Sequence, residues 1–527
     1  MKGQLPKLRW AILVGVAIAG ISAIALTPAV VRAQAAQAPR DLQIVAHEDD
    51  DVIFMNPDIR NDIKAGHTVR TVFVTAGNVC PDGKGTCAPM GPFDTDTKYW
   101  QSRERGALAA YATMAGKVNV QLSGTEGYDF FHDPADYSGT TCTPGKDPGN
   151  DGGQGCLYDF STITVPGSCG ACKVDVWTLR GTPRAGQVSV VFLRVSAADG
   201  GSNIFPLEKL WQGKVSTLTT VGAIGTGYAN ATDDTLTCTA GSGANPTGCR
   251  TYTTAQLTTL VIGIMKQFKP THVRLQDPSG SDYTDQGYDH TDHLHAARIG
   301  LNAYWDYVDS GPAVTPGLVL YRGYYTTNAP HIPVNVTGAA MAAKQAALNN
   351  NCVFDPATGG IGCYSDTWGP WKYALYAMRL KPGAISNGTL LTSGQPGCLT
   401  PVSGSRVTVT ACGTSPRSWS FDSHNHLETT TKSGTICLTA GTTVGAVNNV
   451  TVAPCTAGSS HWLYLSNGML ISDNSKVLRA ATDGSLQSVD LFTYDPNLDA
   501  GGVGNLPVID LTDLGYRWMA NAVPVGP

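Results

Sequence analysis

One imidazole and four carboxylates stand on consecutive positions at His47-Glu48-Asp49-Asp50-Asp51, directly behind the apolar run Leu42, Ile44, Val45. The apolar run reads as a short buried strand, so the polar cluster falls where the chain leaves a sheet. In open α/β folds that strand end is where ligands collect. Five titratable neighbours cannot all be buried without partners, and a cation holds such a group together at least cost. A mixed His and Asp donor set suits zinc or a similar divalent metal. The alternative is a solvated loop or an acid-rich helix start, which needs no ligand.

A second donor-rich segment lies far downstream, at Tyr288-Asp289-His290-Thr291-Asp292-His293-Leu294-His295. Before it, Leu257, Leu260, Val261, Ile264, Met265 and Phe268 have helical spacing, and Lys269-Pro270 stops that helix. The run His272-Val273-Arg274-Leu275 then predicts a strand leading through Asp277-Pro278 and a Ser/Gly-rich loop to the histidines. Two metal-competent loops at the carboxyl ends of two parallel strands can converge on one site.

The two segments resemble the PIG-L or LmbE-like zinc-dependent N-acetylglucosaminyl deacetylases, whose signatures are Ala-His-Pro-Asp-Asp-Glu and His-Pro-Asp-His. Here they read Ala46-His47-Glu48-Asp49-Asp50-Asp51 and His290-Thr291-Asp292-His293, keeping the His and Asp skeleton and losing each proline. Thr71 to Asn78 resembles the family's second strand and Gly turn, and Arg103-Glu104-Arg105 resembles its Arg-Glu helix, running on through Leu108 and Tyr111 to Gly116. The similarity spans about residues 40 to 310. It implies a Rossmann-like α/β fold, a mostly parallel sheet with helices on both faces. It also implies His47, Asp50 and His293 as ligands of Zn2+ or another divalent metal, and Asp49 as the general base. By the same resemblance His290 stabilises the oxyanion or protonates the leaving amine, with Asp292 close enough to fix its tautomer. Tyr288 donates to the same oxyanion and Arg103 binds substrate or, alternatively, forms a structural ion pair. His295 is read as a surface or packing residue.

Those residue types answer the demands of amide hydrolysis. An acetamide has a poorly electrophilic carbonyl and a bad leaving group, so a site must activate water, polarise the carbonyl and protonate nitrogen. A three-ligand zinc with an open position covers the first two.

Lys2, Lys7 and Arg9 precede an apolar stretch from Trp10 to Leu26, and Ala33-Gln34-Ala35 offers small residues for a signal peptidase. The expectation is a signal peptide over 1–35 and a secreted protein, with an uncleaved signal anchor as the alternative and no stable membrane insertion after cleavage. Fourteen cysteines agree with an oxidising compartment. Their local spacing suggests Cys80 with Cys87, Cys142 with Cys156, Cys169 with Cys172, Cys238 with Cys249, Cys352 with Cys363, Cys398 with Cys412 and Cys437 with Cys455. A net charge of −5 without a basic cluster argues against nucleic-acid binding.

At 527 residues the chain divides into at least two domains. A composition shift near Leu380 to Asn387 sets them at 36–384 and 385–527. Downstream, Cys398-Leu-Thr, Val407-Thr-Val-Thr, Cys412 and Trp419 recur as Cys437-Leu-Thr, Val450-Thr-Val, Cys455 and Trp462. A degenerate third copy runs from Val477-Leu-Arg to Trp518. Such repeats fit a pseudo-threefold all-β structure, and they resemble the ricin B-like β-trefoil lectins, although the Gln of that family's Gln-X-Trp is absent. The resemblance implies a trefoil fold and a possible carbohydrate ligand. Two function classes follow: a secreted metal-dependent deacetylase acting on an N-acetylated amino sugar, or a glycan-binding protein whose catalytic domain is inactive. Hydrolysis of a different amide on the same zinc site is a narrower alternative.

Overall fold

The computed structural model describes residues 38–78, 99–119, 157–166, 171–182, 186–197, 206–224, 238, 248–278, 289–323, 335–355, most of 379–490, and 518–520. The expected signal peptide lies outside these residues. Ala38–Pro527 make one compact unit.

The first half is organised by strands β1 (Arg40–Val45), β2 (Thr68–Thr75), β3 (Tyr158–Pro166), β4 (Ala171–Leu179), β5 (Val188–Val195), β6 (Leu218–Thr219), β7 (Thr251–Tyr252), β8 (His272–Gln276), β9 (Gly317–Tyr321) and β10 (Arg379–Leu380). Eight of them form one sheet in the order β10-β9-β8-β1-β2-β5-β4-β3, while β6 and β7 pair separately. From β9 through β8, β1 and β2 to β5 the pairing is parallel; β10, β4 and β3 are antiparallel additions at the two edges. Parallel strands need both faces covered. β5 accordingly is buried at every position.

Helices α1 (Asp50–Phe54), α2 (Asp58–Ala65), α3 (Tyr99–Met114), α4 (Pro206–Trp211), α5 (Thr254–Phe268), α6 (Thr291–Asp309) and α7 (Gly338–Cys352) supply that cover. Alternate strand residues face opposite ways. Ile44, Val72 and Val191 join an apolar cluster with Leu207, Leu257, Ile264 and Leu294 of α4, α5 and α6. Val45, Phe73 and Phe192, one position on, join the other cluster with Ile53, Ile59, Leu108 and Leu348 of α1, α2, α3 and α7. Helices therefore lie on both faces of the mixed sheet. α5 starts on a reciprocal capping box between Thr253 and Gln256 and stops at Lys269, whose φ is 54°.

One buried cation ties the antiparallel wing to α3. The Arg194 guanidinium, fully buried on β5, donates to Glu104 Oε1 and to Asp175 Oδ2, both at 2.7 Å. Removing one partner of such a network costs about 3–5 kcal/mol, because the remaining charge is left buried.

Beyond β10 the chain turns to short antiparallel strands in one six-stranded and two four-stranded sheets. The changeover is abrupt. Leu380 still pairs with β9, whereas Pro382–Gly383 pairs with Trp462–Leu465 of the second half. The sequence repeat is visible in contacts: the Trp419, Trp462 and Trp518 indoles donate to the carbonyls of Leu399, Leu438 and Leu478 at 3.0, 2.9 and 3.1 Å. These three tryptophans are at most 1% exposed and share one apolar core. The halves are also joined by apolar contact, since Leu463, Leu465, Ile471 and Val477 belong to the same cluster as α6. An α/β region followed by a β region is thus the observed architecture.

Three of the expected disulfides are formed, Cys238–Cys249, Cys398–Cys412 and Cys437–Cys455. Cys172 and Cys352 are also disulfide-bonded; Cys80, Cys87, Cys142, Cys156, Cys169 and Cys363 lie outside the described residues. Among the described residues no cysteine is free and no helix is long and apolar enough to cross a membrane.

Candidate metal centre

β1 and β8 are hydrogen-bonded neighbours, with Ile44 opposite Leu275. Their carboxyl ends therefore deliver both polar segments to one place. The first enters α1, with Asp49 as its N-cap; the second enters α6, with His290 as its N-cap. None of the first five residues is solvated: His47, Glu48, Asp49, Asp50 and Asp51 are at most 7% exposed.

Three donors converge. His293 Nε2 lies 2.8 Å from Asp50 Oδ1 and 3.2 Å from His47 Nδ1, and His47 Nδ1 lies 3.5 Å from Asp50 Oδ2. One donor atom each from His47, His290 and His293 also lies within 4.8 Å of the other two, so nitrogen and carboxylate donors of the kind zinc takes are gathered in one place. Asp50 is fully buried between the two rings, with one carboxylate oxygen toward each. Burial opposes charge on His47 and His293, yet Asp50 and the neighbouring carboxylates outweigh it. They raise His47 to about 9 and lift His293 well above the usual imidazole range. Burial likewise opposes charge on Asp50, but the two imidazoles hold its carboxyl well below its ordinary value. The residues present fit a zinc-type metal.

Each imidazole has a carboxylate behind it. Asp289 Oδ1 sits 2.7 Å from His293 Nδ1, and Asp292 Oδ2 sits 3.2 Å from His47 Nε2. This arrangement fixes tautomer and ring orientation in metal-binding histidines. Asp292 meets His290 through its main-chain N–H, which donates to His290 Nδ1 at 3.2 Å, with its carboxylate Oδ2 standing 3.9 Å from the same nitrogen. That bond leaves the proton of a neutral ring on Nε2. Burial and the neighbouring His47 and His293 hold His290 well below the usual imidazole range, so the ring is neutral. His290 is the most open of the three rings, with its side chain 29% exposed and its centroid 4.8 Å from that of His47.

Asp49 is held from the other side. Arg103 Nη2 donates to Asp49 Oδ1 at 2.7 Å, while Nε reaches Asp355 Oδ2 at 3.1 Å and Nη1 reaches the Gly77 carbonyl at 2.9 Å. Gly77 has a φ of +51°, and a Cβ there would lie 2.0 Å from Arg103 Nη1. Only glycine suits both the backbone and the close approach. Glu48, at the position of the lost proline, is buried with Oε2 3.5 Å from Arg103 Nε; burial raises its pKa well above the ordinary value. Asp51 accepts from Tyr111 Oη and from the Val52 N–H, and burial lifts its pKa to about 7.

The structure thus gathers His47, Asp49, Asp50, His290, Asp292, His293 and Arg103. Tyr288 lies outside the described residues. His295 is buried away from the cluster, its Nδ1 on the Thr291 carbonyl and its Nε2 on Arg298, a packing role. Asp289 and Asp355 were not singled out from the sequence. Asp289 precedes His290 and is four positions from His293, one helical turn, which could have suggested it. Asp355 carries no local signal.

No known protein family and no curated protein matches the chain. Among solved structures, the zinc-inhibited form of teicoplanin deacetylase Orf2 is 13% identical over 60% of this chain and 85% of its own, with a TM-score of 0.24. A deacetylase–teicoplanin complex is 13% identical over 59% and 86%, with a TM-score of 0.24. A non-toxic homologue of type II RIPs from Momordica charantia (bitter gourd), in complex with α-methyl-D-galactoside, is 12% identical over 26% of this chain with a TM-score of 0.19; the chain spans about half of its length, 49%. Scores this low transfer no role to any residue.

Proposed function

We propose that this chain is a secreted, metal-dependent hydrolase that removes the N-acetyl group from an N-acetylated amino sugar. The observation that carries the reading is the convergence of His47, Asp50 and His293 at two neighbouring strand ends, each imidazole backed by its own carboxylate. These three residues would hold Zn2+ or a similar ion. When bound, such an ion supplies Lewis acidity toward a carbonyl oxygen and acidifies water.

The chain's own groups account for the rest. Asp49 accepts the proton of the attacking water, and Arg103 aims that carboxylate by a 2.7 Å ion pair. Arg103 so acts as a positioning residue, its guanidinium spent on Asp49, Asp355 and Gly77. His290 offers the Nε2–H of its ring as a hydrogen bond to the developing oxyanion, and the proton that Asp49 takes from water passes on to the departing amine. Asp292 and Asp289 orient His47 and His293. Tyr288 is proposed as a second donor to the oxyanion.

The β region is proposed to close as a β-trefoil that binds carbohydrate. Its support is the threefold Trp-to-Leu contact and the core those tryptophans share. The domains are proposed as 36–384 and 385–527 after a signal peptide over 1–35.

An acetate-release screen across N-acetylglucosamine oligomers and N-acetylgalactosamine glycans, with metal analysis of the same protein, tests the reading. Stoichiometric zinc and acetate release from at least one substrate are expected. Metal-free protein that releases none while retaining glycan binding would replace the enzyme with a glycan-binding protein.

A further inference from the structure

A second group of metal-competent side chains lies where α6 meets the β region. One donor atom each from Asp309, His426 and His461 lies within 4.8 Å of the other two. Asp309 closes α6, whose other end carries His293; sixteen residues of helix separate them by about 24 Å, so the groups are distinct. His426 and His461 come from two β-region segments bridged antiparallel at those residues, with ring centroids 4.8 Å apart.

The histidines are prepared as ligands. His426 Nδ1 lies 2.8 Å from Asp422 Oδ2, and His461 Nδ1 lies 3.3 Å from Asp473 Oδ2. Both rings are thereby turned by a carboxylate, the arrangement that sets the opposite nitrogen for a metal. Both residues are buried, 4% and 5% exposed, and the opposite nitrogen of His426 has no hydrogen bond. His461 Nε2 faces Asp309 Oδ2 at 3.2 Å, and its ring stacks on Trp305 of α6 at 4.9 Å and 6°. His424 Nδ1 stands 2.9 Å from Asp309 Oδ1, a fourth donor within reach on a side chain 44% exposed. Asp309, Asp422 and Asp473 bring three carboxylates to the three imidazoles His424, His426 and His461, a mixed nitrogen and oxygen donor set of the kind that holds a divalent cation.

We propose that Asp309, His426 and His461 form a second zinc-type site, one that fastens the α/β region to the β region. Nitrogen and carboxylate donors in this number suit Zn2+ or Co2+ over Ca2+ or Mg2+, which prefer all-oxygen shells. The site bridges two parts of one chain and adds to their apolar contact.

Chelator-stripped full-length protein titrated with Co2+, followed by its visible absorption and by bound metal per chain, tests the proposal. Two equivalents are expected in the wild type. His426→Gln and Asp309→Asn should each bind one equivalent fewer. His293→Ala should lose the other equivalent and keep this one, so failure of the catalytic reading and of this one are separable. If His426→Gln does not fold, Asp309→Asn decides, since that side chain is 22% exposed at a helix end. One equivalent that His293→Ala abolishes, or two that survive both β-side and helix-side variants, would overturn the second site.

Discussion

At the scale of single residues, the division between ligand and base predicts different losses. Asp49→Asn keeps the donors His47, Asp50 and His293 but cannot accept a proton. It should retain metal and lose about 10²-fold or more in turnover. Loss of zinc together with activity would move Asp49 among the ligands. Asp289→Asn is the complement: the Asp289 carboxylate touches His293 Nδ1 at 2.7 Å and no proposed reacting atom, so its removal should weaken metal binding by about 10- to 100-fold. Competition with a chelator of known affinity reads that change. An unchanged affinity would mean His293 is oriented by packing alone.

At the scale of elements, α7 brings a buried charge against α1. The Lys344 ammonium is fully buried and donates to the Ile53 carbonyl, and burial lowers its pKa to about 7. Below that value the lysine is charged in both folded and unfolded chains, and the full penalty of burying the charge is present. As pH rises from about 7 toward the unfolded value near 10.4, the folded chain holds it neutral while the unfolded chain still binds the proton, so stability increases. Chemical denaturation across that window should show the rise, and Lys344→Met should flatten it; an equal slope in both proteins would place the cause elsewhere. The turn after β2 carries a second element-scale expectation. Gly77→Ala strains a φ of +51° and displaces Arg103, so it should lower the melting temperature and turnover together while leaving metal content intact.

At the scale of the whole molecule, the two regions share more than a linker. Leu463, Leu465 and Ile471 pack in the cluster that holds α6, and His461 stacks on Trp305. Truncation at 384 keeps every proposed catalytic group yet uncovers that apolar surface. The shortened chain should bind zinc and cleave a small N-acetyl sugar, but melt several degrees lower and associate at high concentration. A truncated protein as stable as the full chain would make the shared cluster incidental. Denaturing, non-reducing thiol titration of the full chain should find essentially no free cysteine, in keeping with the bridged cysteines described.

Local pattern along the chain determines much of this protein. Helical spacing and the Lys269-Pro270 stop marked α5, the apolar runs marked β1 and β8, and the Cys-Leu and Trp recurrence marked the repeat, because each depends on neighbours along the chain. His47, Asp49, Asp50, His290 and His293 were legible for the same reason, as dense donors beside strand ends. Tertiary structure alone decided which side chains meet. The parallel pairing of β1 with β8 joins positions some 230 residues apart, and only then do Asp289, Asp292 and Asp355 acquire partners. Asp309, His424, His426 and His461 show no joint pattern in the sequence. Their convergence arises where a helix end packs on two β segments, a contact set by buried apolar surface that no local spacing encodes.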